Sequence, residues 1–352
     1  MILKLILLPL IVAFLIAIIS TPLAIKIAWK FGLIDDPKKR KGPAKLHHHP
    51  TPRPGVIPIW LAVIITSLIF LPLDKSLLGI LGGATILFVL GILDDKYDLN
   101  PYLRLGGCFI AAGLVVKGGV GIFFITNPFG QGLIHFNQII AIILALLWIA
   151  FLSNITNWSS GFDGQLPGIV VIAALTIAFL SFRFSADLTQ WPITILAAVT
   201  AGAYLGFLPY NFFPQKIMTG YGGGILAGFL LAVLAILSTA KIGTTLVVLG
   251  IPFIDALYSI IRRIMAGKSP VWGDRGHLHH KLLDELHWGK KRTAVFYWTI
   301  TAILGFLALN LHSIQKFYTI VMLVALIGSL LLWLNLFPTY FNRSDRDKPS
   351  KT

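Results

Sequence analysis

Residues 77–104 read LLGILGGATILFVLGILDDKYDLNPYLR. The apolar run 77–93 ends without a polar spacer on two adjacent carboxylates, Asp94 and Asp95, and Asp98 follows three residues later. A run of about 18 apolar residues is long enough to cross a bilayer. Acids stacked on its end either stand at the water interface or are buried at high cost. The stretch therefore sets two expectations: a membrane-spanning helix, and a polar site at its mouth.

The rest of the chain repeats the first of these. Of 352 residues, 56% are hydrophobic and 12% charged, a balance foreign to soluble domains. Apolar runs recur from Ile2 to Leu336, and the alternating pattern of a β-barrel is absent. The expected fold class is all-α, a polytopic bundle of about eleven spans. They lie near 3–29, 55–72, 77–93, 104–117, 137–153, 167–182, 192–209, 223–238, 243–262, 294–311 and 317–337. Residues 1–341 read as one integral-membrane domain, and 342–352 as a disordered basic tail. The first apolar run is too long, and too poor in small residues at its end, for a cleaved signal. The single cysteine, Cys108, excludes an internal disulfide.

A net charge of +15 would suggest nucleic acid on a soluble protein. Here the bases sit between spans. One alternating set of loops, 30–54, 94–104, 154–166, 210–222, 262–293 and the tail, holds 22 of the 29 Lys and Arg. Positive loops stay inside, so this set is expected in the cytoplasm, with the N-terminus outside, and no nucleic-acid partner is expected. The polar residues that need explaining all fall on the same side.

Adjacent Asp94 and Asp95 repel, and either mark the interface or hold a divalent cation or a proton in transit. The loop NITNWSSGFDG carries Asn154, Asn157 and Asp163 but no Lys or Arg. It is either a polar turn or an amide-rich surface for a sugar or base with one cation ligand. Asn211, Lys216 and the run Gly222 to Gly224 form either a flexible connection or a glycine-rich entry to a phosphate-binding helix N-terminus. Asp274, Arg275, His277, His279 and His280 suit an anionic phosphate, with a transition-metal site and a solvated basic loop as the other readings. The first basic loop reads as an orientation signal that attracts lipid head groups, and His47 to His49 as an accidental run.

These loops together resemble the polyprenyl-phosphate N-acetylhexosamine-1-phosphate transferases, over about Gly32 to Leu283. The resemblance rests on Asp35-x-Pro37 with Arg40-Lys41; Pro52-Arg53 and Gly55; Leu93-Asp94-Asp95 with Asp98-Leu99 and Arg104; Asn154-x-x-Asn157 and Gly161-x-Asp163-Gly164; Asn211 with Pro214-x-Lys216-Ile217; and Arg275-Gly276-His277-Leu278-His279-His280. It implies a reaction in which a UDP-N-acetylhexosamine gives its sugar 1-phosphate to polyprenyl (undecaprenyl) phosphate, releasing UMP, at the first membrane step of a cell-envelope glycan in the plasma membrane. It also implies Mg²⁺, held by Asp95 and Asp163. Asp94, Asp95 and Asp163 would be catalytic, while Asn154, Asn157, Asn211, Arg275, His277, His279 and His280 would bind substrate.

The chain departs from the family pattern at Ser160 and Tyr221, each where an Asp is usual, and at Cys108, Met218 and Val56. Two other readings therefore stand beside the active enzyme. One is an inactive relative that binds lipid phosphate or UDP-sugar. The other is a transporter, which would place its polar groups at mid-membrane.

Overall fold

The computed structural model describes residues 1–38, 49–127, 132–238, 242–272 and 276–336. Arg40, Lys41, His47, His48, Asp274, Arg275 and the tail lie outside the described residues. The described chain is a helical bundle. Its helices are α1 (Leu8–Phe31), α2 (Val56–Phe70), α3 (Lys75–Tyr97), α4 (Pro101–Lys117), α5 (Gln138–Trp158), α6 (Gln165–Arg183), α7 (Gln190–Asn211), α8 (Gly220–Leu237), α9 (Ile242–Val248), α10 (Gly250–Met265), α11 (Leu278–Asp284), α12 (Lys290–Asn310) and α13 (Ser313–Leu336). A π-helical turn, Leu3–Leu7, leads into α1. The only strands among the described residues form two short antiparallel ribbons: β1 (Ile34–Asp35) with β2 (Thr51–Pro52), and β3 (Phe124–Thr126) with β4 (Leu133–His135).

Each of the eleven expected apolar segments is helical. Eight helices among the described residues are long and apolar enough to cross a membrane, or nine if α9 and α10 count as one span. That pair is bent by 84° at Leu249. The 15 residues of α2 reach about 22 Å at 1.5 Å per residue, short of a bilayer core of about 30 Å. The 17 residues of α4 fall only slightly short.

The bundle centres on α8, whose residues from Tyr221 to Ile236 are all buried. It packs against α3 and α5. A Cβ on Gly91 would lie 2.3 Å from the Cα of Gly222, so α3 and α8 cross backbone to backbone, as small residues allow between membrane helices. The glycine run 222–224 is thus a packing surface inside α8. Gly224 meets Asn157 of α5 in the same way. These contacts bring the last turn of α3 and the first turn of α8 to one end of the bundle.

Candidate active site

The end of α3 is where the acids gather. Asp94 and Asp95 sit in its last turn, 0% and 1% exposed. The C-terminus of a helix carries partial negative charge and disfavours acids, so the pair requires cations. Two arginines supply them. Arg53 Nε lies 3.2 Å from Asp95 Oδ1, and its Nη2 lies 3.7 Å from Asp94 Oδ2. Arg104 reaches Asp94 and, at 2.8 Å, Asp98. The helix stops at Asp98, which takes a left-handed conformation (φ 52°), and Leu99 N–H donates to Asp94 Oδ1 at 3.1 Å.

Both arginines are fixed by local structure. The β1–β2 ribbon holds Arg53, whose N–H donates to Leu33 O at 3.0 Å, while Met218 N–H donates to Pro52 O at 2.8 Å. The segment entering α8 is thereby tied to the same ribbon. Arg104 rides in the first turn of α4, where Asn100 caps the helix by accepting from Tyr102 N–H at 2.9 Å.

The loop between α5 and α6 closes the other side. Asp163 is 2% exposed. Its Oδ1 lies 3.3 Å from Lys290 Nζ at the start of α12, and its Oδ2 accepts from Gln215 N–H at 3.3 Å. Asn211, at the end of α7, joins two loops: its Oδ1 accepts from Gly164 N–H at 3.0 Å, and its Nδ2 donates to Ile217 O at 2.9 Å.

These segments enclose a cavity of about 330 Å³. Asp35, Arg53, Asp94, Asp98, Arg104, Asn157, Asp163, Asn211 and Tyr221 are among the residues on its wall. Of the residues expected from the sequence, Asp94, Asp163, Asn157 and Asn211 therefore meet at one site. Asp95 stands behind the wall against Arg53 and Gly220. Asn154 does not line the cavity; its Nδ2 donates to Ala150 O within α5 at 2.8 Å.

The histidines form a second, buried layer. His277, His279 and His280 are 4%, 2% and 3% exposed, and none lines the cavity. His279 packs against Phe162, with ring centroids 5.9 Å apart. A Cβ on Gly161 would fall 2.1 Å from His279 Nε2, so only glycine lets the loop lie on that ring. His277 is pinned from α10: Asp255 Oδ2 lies 2.9 Å from its Nδ1, and Asp255 Oδ1 accepts from Leu278 N–H at 2.8 Å. Arg263 Nη2 lies 3.3 Å from its Nε2. Burial, reinforced by the neighbouring imidazoles, holds His279 well below the ordinary histidine range. The cluster thus backs the loop 161–162 that forms the cavity wall.

Cys108 and Tyr221, both expected from the sequence to depart from the family pattern, touch. Cys108 Sγ lies 3.9 Å from the Tyr221 hydroxyl, and the Arg104 guanidinium sits 5.0 Å from the Tyr221 ring centroid. An aromatic ring thus stands on the cavity wall, and Arg104 stacks on it.

The donor set can be weighed against a divalent cation. No group of three His, Cys, Asp or Glu side chains that could hold a metal occurs among the described residues, so these residues form no protein cage. Asp94 and Asp163 do share one wall, and the buried Asp94 Oδ2 accepts no hydrogen bond among the described residues. Mg²⁺ typically binds one or two carboxylates, waters and substrate phosphates. The residues present fit that arrangement through Asp94 and Asp163 better than through Asp95.

Three functional partners escaped the sequence reading. Lys290 belongs to a basic cluster, Lys290 to Arg292, that reads as an orientation signal. Asp255 lies inside an apolar segment, where an ionisable residue is itself a signal of function. Gln215 meets Asp163 through its backbone, which no side-chain pattern reveals.

The chain matches the profile of glycosyl transferase family 4 over residues 77–239. It is 34% identical over 283 residues to a probable undecaprenyl-phosphate N-acetylglucosaminyl 1-phosphate transferase of Bacillus subtilis, covering 78% of this chain and 76% of the relative. A decaprenyl-phosphate N-acetylglucosaminephosphotransferase of Mycolicibacterium smegmatis is 29% identical over 304 residues, covering 77% of this chain and 73% of the relative. A phospho-N-acetylmuramoyl-pentapeptide-transferase of Mycolicibacterium gilvum is 27% identical over 338 residues, covering 83% of this chain and 92% of the relative. With one end of a helical membrane bundle gathering acids and arginines around a single cavity, and with this extent of similarity, the chain belongs to the polyprenyl-phosphate N-acetylhexosamine-1-phosphate transferases.

Proposed function

We propose that the protein transfers N-acetylglucosamine 1-phosphate from UDP-N-acetylglucosamine to polyprenyl phosphate at the cytoplasmic face of the plasma membrane. An oxygen of the lipid phosphate attacks the sugar-bearing phosphorus of the donor. The bond from that phosphorus to the oxygen bridging it to UMP breaks. UMP leaves, and polyprenyl-diphospho-N-acetylglucosamine stays in the bilayer as the first lipid-linked intermediate of a cell-envelope glycan. The observation that carries this reading is the meeting of Asp94, Asp163, Arg53 and Arg104, from four separate segments, on one cavity wall.

Phosphoryl transfer depends on in-line positioning and charge neutralisation more than on covalent help. Arg53 and Arg104 offer fixed guanidinium groups to phosphate oxygens. Asp94, between them, orients the attacking lipid phosphate and accepts its remaining proton. Asp163, steadied by Lys290, faces the donor across the cavity. Asn157 offers an amide to the sugar or base, and Asn211 keeps the two donor-side loops in register. Mg²⁺, bound through Asp94, Asp163 and the donor diphosphate, would neutralise charge as it moves to the leaving phosphate.

The purified protein in nanodiscs, given UDP-N-acetylglucosamine, undecaprenyl phosphate and Mg²⁺, is expected to release UMP, and to stop when any one is withheld. Asp94→Asn is expected to lower turnover by about 10²–10⁴-fold and also to lower the unfolding temperature, because Arg53 and Arg104 lose a buried partner; turnover is therefore compared at a temperature where the variant is folded. Absence of UMP release with every UDP-N-acetylhexosamine tried would overturn the assignment.

A further inference from the structure

Tyr221 stands in the first turn of α8, buried yet part of the cavity wall. The backbone on either side of it has no room to shift. Gly220 takes a left-handed conformation (φ 67°), and a Cβ there would meet the Arg53 carbonyl and, at 2.8 Å, Asp95 Oδ2. Gly222, on the other side, packs on Gly91 of α3. The ring is therefore delivered to one place, beside the acids, by chain pressed against their own supports.

Its neighbours are on α4. Arg104 and Cys108 are four residues apart, hence one turn apart on one face of that helix. Tyr221 lies along this face. Its hydroxyl is 3.9 Å from the buried Cys108 Sγ, and its ring centroid is 5.0 Å from the Arg104 guanidinium carbon. The hydroxyl is thus turned to the thiol, and what Tyr221 offers Arg104 is the face of its ring.

Arg104 gains from that face. It sits in the first turn of α4, where the helix dipole disfavours a cation. Its Nε reaches Asp94, and its Nη2 lies 2.8 Å from Asp98 Oδ1. Asp98 is exposed, and an exposed ion pair holds a long side chain weakly. Nη1 makes no hydrogen bond or ion pair among the described residues, so it is the corner left for a phosphate oxygen. A guanidinium tied to acids along one edge can still tilt about that edge. A ring against its plane removes this freedom, and a fixed donor counts most where charge develops during reaction.

We propose that Tyr221 is a positioning residue, whose ring holds the Arg104 guanidinium so that Nη1 meets the charge developing on the transferred phosphate. The inference rests on the transferase reading above. An interaction that strengthens only in the transition state acts on kcat and leaves KM nearly unchanged.

The test measures steady-state UMP release by the full-length protein in nanodiscs, at a temperature where thermal unfolding shows each variant folded. Tyr221→Leu is expected to lower kcat about tenfold, the share of a partly buried cation–π contact, with KM for both substrates within about twofold of the parent. Tyr221→Phe keeps the face, loses only the hydroxyl, and is expected to recover most of that loss. Arg104→Lys keeps the charge without the planar fork and is expected to lower kcat as well. In that background Tyr221→Leu is expected to cost little more, because residues that act as a unit are not additive. Should Tyr221→Leu not fold, Tyr221→Met fills the space with a flexible apolar chain and is read in its place; Arg104→Lys is read in either case. Parental kcat in the Leu or Met variant, a Phe variant as slow as the Leu variant, losses that multiply in the double variant, or parental kcat in Arg104→Lys would each overturn the proposal while leaving the transferase reading intact. Absence of UMP release by the parent would overturn both.

Discussion

At the scale of single residues, the site separates groups that face the reaction from groups that hold it in shape. Asn211 is of the second kind despite its place on the wall, because both ends of its amide are committed, to Gly164 N–H and to Ile217 O. Removing the amide leaves a buried donor and a buried acceptor unsatisfied, at about 1–3 kcal/mol for such a group. Asn211→Ala is therefore expected to lower the unfolding temperature measurably and to raise KM for the nucleotide-sugar, since Gly164 adjoins Asp163. Asn211→Asp keeps the acceptor for Gly164 but loses the donor for Ile217, and is expected to fall between the two. An Asn211→Ala protein with parental stability and parental KM would show that the loops hold their register without it.

At the scale of elements, the sequence pattern revealed helices and loop polarity, but not how the loops stack. The apolar runs and the acids at 94–95 were legible because bilayer crossing demands long, uniform segments, and a charge at their ends stands out. The role of the histidine loop was not. Three imidazoles in a basic loop look like ligands for phosphate, yet Asp255, from within the bent α9–α10 segment, ties His277 down, and His279 is driven against Gly161. Only the 84° bend at Leu249 brings that acid to that loop, and a bend leaves no mark in hydropathy. The glycines at 222–224 do lie in the first turns of a helix, α8, but their packing role was not legible, because their partner, Gly91, is remote in sequence. The buried layer has a measurable consequence. Burial lowers the affinity of His279 for a proton in the folded state, whereas the unfolded chain binds one below its ordinary pKa of about 6.5. Acidification therefore favours unfolding: His279's contribution to stability is full above about pH 7 and falls, by at most about 1.4 kcal/mol per pH unit, as pH drops through 6.5. Thermal unfolding at pH 7.5 and 5.5 is expected to differ more in the parent than in His279→Gln. An equal difference in the two would show that the imidazole takes up its proton without unfolding.

At the scale of the whole molecule, the two ends of the bundle differ in charge and in chemistry. Among the described residues, one end carries the candidate active-site cavity and most of the lysines and arginines; the other carries Asp187 and Lys316. From the charge bias the first end is expected in the cytoplasm, where a nucleotide-sugar would be met. This can be tested because the single cysteine, Cys108, is buried in the bundle, so background reaction with a thiol reagent is expected to be low. Lys268 and Asp187 are both exposed, the first after α10 at the catalytic end and the second between α6 and α7 at the other. Asp187→Cys is expected to react with a membrane-impermeant maleimide in intact cells. Lys268→Cys is expected to react only after the membrane is permeabilised. The reverse pattern would turn the protein over in the membrane and place the acids and arginines on the side away from the cytoplasmic nucleotide pool. Reaction of both cysteines in intact cells would mean that the two ends are not separated by the bilayer, and would remove the physical basis for reading α12, which is long and apolar enough to cross it, as a spanning helix.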